Sequence, residues 1–143
     1  MEDSKLEIPT LGYYIDRALC VMIKQLNKEL KAEDLQFHHS DYTIMKVLSV
    51  KDGLTQSELS RFLGKEKSGI SRSLSALEKL GYINRIATNG CTNHVYLSEK
   101  GRKLMPLLND IAQRVSDKAT KGLTKKKREE IMKNLTLIYN NSL

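Results

Sequence analysis

The sequence predicts a mostly α-helical fold with one small β-hairpin, in which a short helix, a tight turn and a second helix precede the hairpin and longer helices flank the whole. Three observations carry this. Apolar residues recur at spacings of three and four along most of the 143 residues, the pattern of helices with one buried face. Only two prolines, Pro9 and Pro106, interrupt that pattern. Over residues 82–97 the composition shifts to β-branched and aromatic residues around Asn89-Gly90, a pair whose tolerance of positive φ favours a hairpin turn.

The elements follow in order. Leu11, Ile15, Ala18, Met22, Leu26 and Leu30 make the stripe of a first helix over 11–31. Tyr14, Leu19 and Val21 widen it beyond one face, which points to contact with a partner as well as a core. Ser40 is placed to cap a second helix, Asp41–Val50, with Tyr42, Met45 and Leu48 as its inner row and Ile44 and Val47 beside it. Thr55 and Glu58 form a capping box for a third helix, with Leu59, Phe62 and Leu63 inward and Gly64 ending it. A fourth helix, Glu66–Leu80, has the narrow apolar row Ile70, Leu74 and Leu77 and closes at Gly81. Two strands follow, 82–87 and 94–97. Ser98 caps a long helix, broken or kinked near Pro106, that runs to Ala119. Thr124 caps the last helix, whose inner row is Ile131, Leu135 and Ile138.

The net charge of +7 is unevenly spread. Residues 1–50 carry 6 basic and 8 acidic side chains, residues 51–97 carry 7 and 4, and residues 98–143 carry 11 and 5. A basic middle and end suit either a polyanion or a well-solvated surface. No apolar run reaches the roughly 20 residues a bilayer span needs. The start, MEDSKLEIPT, lacks the apolar core of a signal peptide. A cytoplasmic protein with no membrane partner is therefore expected. Cys20 and Cys91 form no CxxC pair, so neither a disulfide framework nor structural zinc is expected. No Gly-rich phosphate loop, paired carboxylates or nucleophile–base pair points to an enzyme, and no cofactor is implied.

The segment from Thr55 to Leu97 has the order of a winged helix-turn-helix. At 100° per residue from Ile70, Leu74 and Leu77 stay on the inner side, while Ser68, Arg72, Ser75 and Lys79 fall opposite. Short side chains there, with Gly69 and Ser71, let the helix approach base edges in double-stranded DNA. Arg72 can reach guanine O6 and N7 with two parallel bonds. Lys65 and Lys67 at the helix start, and Ser57 on the preceding helix, are placed for phosphates. The competing reading is an ordinary amphipathic surface helix.

The chain resembles the MarR family of multiple-antibiotic-resistance-type regulators. The residues that carry the resemblance are Leu54-Thr55-Gln56-Ser57-Glu58-Leu59, Lys67-Ser68-Gly69-Ile70-Ser71-Arg72, Leu77-Glu78-Lys79-Leu80-Gly81-Tyr82-Ile83 and Leu97-Ser98-Glu99-Lys100-Gly101. The resemblance implies one protomer over 1–143, with a DNA-binding lobe at 36–97 and dimerisation helices at 8–35 and 98–143. It implies a homodimer on pseudo-palindromic promoter DNA, a repressor released by a ligand or oxidant.

The chain departs from the family at the wing. Thr88 to His94 is about two residues shorter than usual and carries no arginine at its tip. Asn89, Asn93 and His94 remain as hydrogen-bonding candidates, and Arg85 at the wing base as a phosphate contact. Ser75-Ala76 stands where an acidic-basic pair is more usual, which loosens a local salt bridge. For a small anionic or aromatic effector, Tyr13, Arg17, His39 and Tyr42 are the candidate lining. Cys20, about two turns later than the peroxide-sensing cysteine of some relatives, reads as a buried, inert thiol or as a redox site. Cys91 reads as an accessible thiol with only His94 nearby. His38-His39 lacks the neighbours of a metal site. Lys125-Lys126-Lys127-Arg128 opposes the dipole of the helix it opens and reads as a solvated face. Two other functions fit the weak wing: a non-specific architectural DNA binder, or a winged-helix interaction module that has lost DNA.

Overall fold

The computed structural model describes residues 9–88, 90 and 92–143. In chain order the elements are α1 (Leu11–Ala32), α2 (His39–Val50), β1 (Leu54–Thr55), α3 (Gln56–Leu63), α4 (Lys67–Lys79), β2 (Ile83–Thr88), β3 (Thr92–Leu97), α5 (Glu99–Ala119) and α6 (Lys125–Asn141). The three strands form an antiparallel sheet of order β1-β3-β2. This is the six-helix, winged helix-turn-helix architecture that the apolar periodicity predicts.

Local chemistry explains most boundaries. Thr55 Oγ1 accepts the Glu58 N–H at 3.2 Å, Ser98 Oγ the Gly101 N–H at 3.0 Å, and Thr124 Oγ1 the Lys127 N–H at 3.2 Å. Each satisfies one donor that a helix start leaves open. At the end of α3, Gly64 takes φ +62°, and the Lys65 N–H reaches back to the Ser60 carbonyl at 3.1 Å. The core is continuous: Leu26 and Leu30 of α1, Ile44, Met45 and Leu48 of α2, Leu59, then Ile70, Leu74 and Leu77 of α4, Val95, and Leu108 and Ile111 of α5 are all buried.

Several expectations are corrected. Ser40 does not cap α2. The helix starts two residues earlier, at His39, capped at His38, whose N–H donates to the Asp41 carboxylate at 3.0 Å. β1 is not visible in the periodicity, because two residues carry no period. The Glu58 carboxylate meets the Thr55 hydroxyl at 3.2 Å rather than the Thr55 backbone. Phe62 does not face inward: it is half exposed, with the Lys51 and Arg61 cations 5.8 and 5.4 Å from its ring centroid. The hairpin connection is three residues long, since Thr88 pairs with Thr92. α5 is one helix through Pro106 rather than a broken one. Pro106 and Arg102, four residues before it, are both exposed, so water can reach the carbonyl left without a partner.

The largest difference concerns the outer helices. Only Leu26 and Leu30 of α1 are buried, while Leu11, Tyr14, Leu19 and Val21 are exposed. α6 buries nothing, and Ile131, Leu135 and Leu137 are exposed. Of the row expected to face inward on α6, Ile131 and Leu135 are exposed and Ile138 is half-buried against the described residues. Among the described residues, no helix is long and apolar enough to cross a membrane.

Candidate nucleic-acid interface

α4 divides by face. Its inner residues Ile70, Leu74 and Leu77 anchor it to the core, while Lys67, Ser68, Arg72, Ser75 and Lys79 are exposed. Gly69 and Ser71 lie half-buried between. The Gln56 amide donates to the Lys67 carbonyl at 3.0 Å, and the Ser60 hydroxyl to the Lys65 carbonyl, so α3 grips the start of α4 on both sides of the turn. Ser57 is exposed on the first turn of α3. Lys65, Gly69, Arg72, Ser73 and Ser40 line a cleft of about 290 Å³ beside α4. Among the described residues, Arg72 makes no hydrogen bond or ion pair. Its guanidinium carries five donors with no protein acceptor.

The wing behaves differently from its sequence reading. His94 is not turned outward: it pairs with Thr55 across the sheet, and its Nδ1–H donates to the Gly53 carbonyl at 2.8 Å. Asn93 is exposed beside the hairpin end. Asn89 and Cys91 lie outside the described residues. Arg85 is committed to α4, donating to Ser75 Oγ at 3.3 Å, with its Nε 3.6 Å from the Glu78 carboxylate. That pair supplies the strut that Ser75-Ala76 was expected to loosen, and it occupies Ser75 as well.

The C-terminal end of α4 is held by a joint that the spacing of apolar residues does not reveal. Lys100 Nζ donates to the Leu80 carbonyl at 2.8 Å, Ser98 Oγ to the Gly81 carbonyl at 2.6 Å, and the Ser98 N–H to the Tyr82 carbonyl at 2.9 Å. Asp52 works similarly below the sheet. Its carboxylate accepts the Leu97 N–H at 3.0 Å and pairs with Arg102.

The four candidate effector residues do not come together. His39 and Tyr42 line a cavity of about 140 Å³ with Met22, Leu26 and Val115, whereas Tyr13 and Arg17 are not part of that lining. Arg17 lies over the Tyr13 ring at 5.5 Å and donates to its hydroxyl at 3.3 Å. Burial lowers the His39 pKa, aided by the Lys65 cation, and burial raises that of Tyr42. The folded His39 therefore protonates below its ordinary value of 6.5. As pH falls from 6.5 towards that lowered value, the unfolded chain takes the proton first and stability is lost. Urea unfolding at about pH 7.5 and about pH 5.5 should show a smaller loss for His39→Gln than for the wild type; equal losses would remove His39 from the account.

Cys20 is exposed on α1, 3.9 Å from an Asp16 carboxylate oxygen, which corrects the expectation of a buried thiol. The helix face it occupies is left uncovered by its own chain. Among the described residues, no cluster of three or more His, Cys, Asp or Glu could hold a metal ion.

Comparison with known proteins agrees with this geometry. Residues 37–84 match a family model described as winged helix-turn-helix DNA-binding. The chain is 23% identical over 104 residues to the HTH-type transcriptional regulator YybA of Bacillus subtilis, covering 71% of this chain and 69% of that protein. A MarR-family transcriptional regulator of Silicibacter pomeroyi is 27% identical and superposes with a TM-score of 0.78, covering 91% of this chain and 88% of that one. A MarR transcriptional regulator of Methanosarcina mazei is 23% identical with a TM-score of 0.81, over 92% and 88% of the two chains. The matched family model and the shared fold are those of transcriptional regulators rather than enzymes. With its α4 face and its winged lobe, the chain is a winged helix-turn-helix DNA-binding transcriptional regulator, similar in sequence and fold to regulators of the MarR family.

Proposed function

We propose that the protein binds pseudo-palindromic promoter DNA as a homodimer and represses transcription from it in the cytoplasm. The observation that carries this reading is Arg72, exposed in mid-α4 among small residues and without a partner among the described residues. Paired recognition helices would read half-sites about 10 bp apart. Ser68, Gly69 and Ser71 let the helix sit deep in the groove, and Lys65, Lys67 and Ser57 take phosphates. Ser75 and Arg85 then act together at the wing base, with Arg85 holding β2 on α4. Asn93, with Asn89, is left as the wing's polar contact. Support for the dimer is the run of exposed apolar residues on α1 and α6, Leu11, Tyr14, Leu19 and Val21 with Ile131 and Leu135, since exposed apolar patches mark interaction surfaces. A small apolar or aromatic effector would enter the cavity beside His39 and Tyr42, between α1 and the DNA lobe. Oxidation of the exposed Cys20 is a second means of release.

The test is to incubate the purified protein with sheared genomic DNA of its source and sequence what remains bound. A few promoter sites sharing an inverted repeat, silenced in a reporter when the protein is present, are expected. Uniform recovery would replace this reading with architectural binding. On an enriched site, Arg72→Ala should weaken specific binding about tenfold or more and random-sequence binding far less. Lys67→Ala should weaken both alike and lower the salt slope by about one. Equal losses for Arg72→Ala on both DNAs would remove it from base reading.

A further inference from the structure

We infer that Tyr139 is a positioning residue that ties α6 to the turn of the helix-turn-helix, so that the orientation of α6 sets the orientation of α4; this rests on the two-half-site reading above. Two contacts place it. Tyr139 Oη donates to the Arg61 carbonyl at 2.7 Å, across 78 residues of chain. Its ring lies over Gly64, where a Cβ would stand 3.5 Å from Tyr139 Cε2. Arg61 and Gly64 are the last turn and the left-handed cap of α3, and the chain passes from them through Lys65 into α4.

The carbonyl that Tyr139 engages also accepts the Gly64 N–H, at a long 3.4 Å. Carbonyls in a last helical turn have no following N–H within the helix and need outside donors. Tyr139 is such a donor, and it comes from a helix that buries none of its residues among the described ones. The rest of α6 is therefore free to follow whatever its exposed row of Ile131 and Leu135 packs against. Its tip stays on the turn that feeds the recognition helix. Movement of α6 is passed to the start of α4 through one hydroxyl and one ring, and phenylalanine keeps only the second.

The test compares wild type, Tyr139→Phe and Tyr139→Ala. Amide exchange is read at Gly64 and Lys65. Affinity is read on a duplex bearing the inverted repeat that the wild type enriches from a random pool, and on one bearing a single half-repeat. Exchange at both amides should rise about threefold to tenfold in Tyr139→Phe and further in Tyr139→Ala. Affinity should fall by a similar factor on the full repeat and stay unchanged on the half-repeat, with the solution mass of the wild type. Wild-type exchange, equal losses on both duplexes, or a changed oligomeric mass would each overturn the positioning role. If the pool yields no inverted repeat, the two-half-site reading fails by itself, and the exchange rates alone decide whether Tyr139 holds the turn.

Discussion

Replacing Gly101 with alanine is expected to destabilise the fold by about 3 kcal/mol and to lower Tm by roughly 10 °C. Gly101 is buried in the first turn of α5, and a Cβ there would lie well inside van der Waals contact of the Tyr82 carbonyl oxygen and 3.3 Å from Leu97 Cδ2. Neither neighbour can yield cheaply. The Tyr82 carbonyl is held by the Ser98 N–H at 2.9 Å, and Leu97 is locked in β3 opposite Ile83. The extra methyl must push α5 off the Gly81-Tyr82 corner, loosening the Lys100 and Ser98 bonds that fix the end of α4. DNA affinity should fall with stability. Thermal melting checks it, and an unchanged midpoint would show that the corner moves freely.

Leu74→Ala is expected to cost about 3 kcal/mol or more. The side chain is fully buried at the middle of α4, so its loss leaves a cavity under the recognition helix. On the opposite face, Ser68→Ala should change stability by no more than about 0.5 kcal/mol, because Ser68 is exposed. Urea midpoints of the two variants therefore separate the face that holds α4 on the core from the face left exposed. Comparable losses would mean that the division of α4 into two faces is wrong.

What could be read in the sequence was the local physics. Thr55, Ser98 and Thr124 cap helices from their own positions, and the row Ile70, Leu74, Leu77 is buried because a helix brings those three together. What could not be read depends on partners distant in sequence. β1 exists because Leu54 and Thr55 find Val95 and His94, and the same pairing turns His94 inward towards Gly53. Arg85 looks like a free cation until α4 brings Ser75 and Glu78 beside it. Lys100 and Gly101, which carry part of the family resemblance, form a joint on Leu80 and Tyr82. The signal there was an invitation to look at close backbone approach, since a glycine in the first turn of a helix gives up helix propensity. On α6 the apolar row was legible, but Ile131 and Leu135 in it are exposed among the described residues.

The pairing of β1 with β3 also governs how the lobe is made during synthesis. The Gly53 and His94 bond closes a loop of 41 residues, and β1 has no other strand beside it. Contacts of such long sequence separation form late, and chain growth at about 5–20 residues per second delivers β3 several seconds after β1. Until then Leu54 lacks its strand partner. A chain cut short of β3 is expected to form no sheet, because β1 and β2 each pair with β3. The sheet of the winged lobe is thus expected to close late, once Val95 and His94 are available to Leu54 and Thr55.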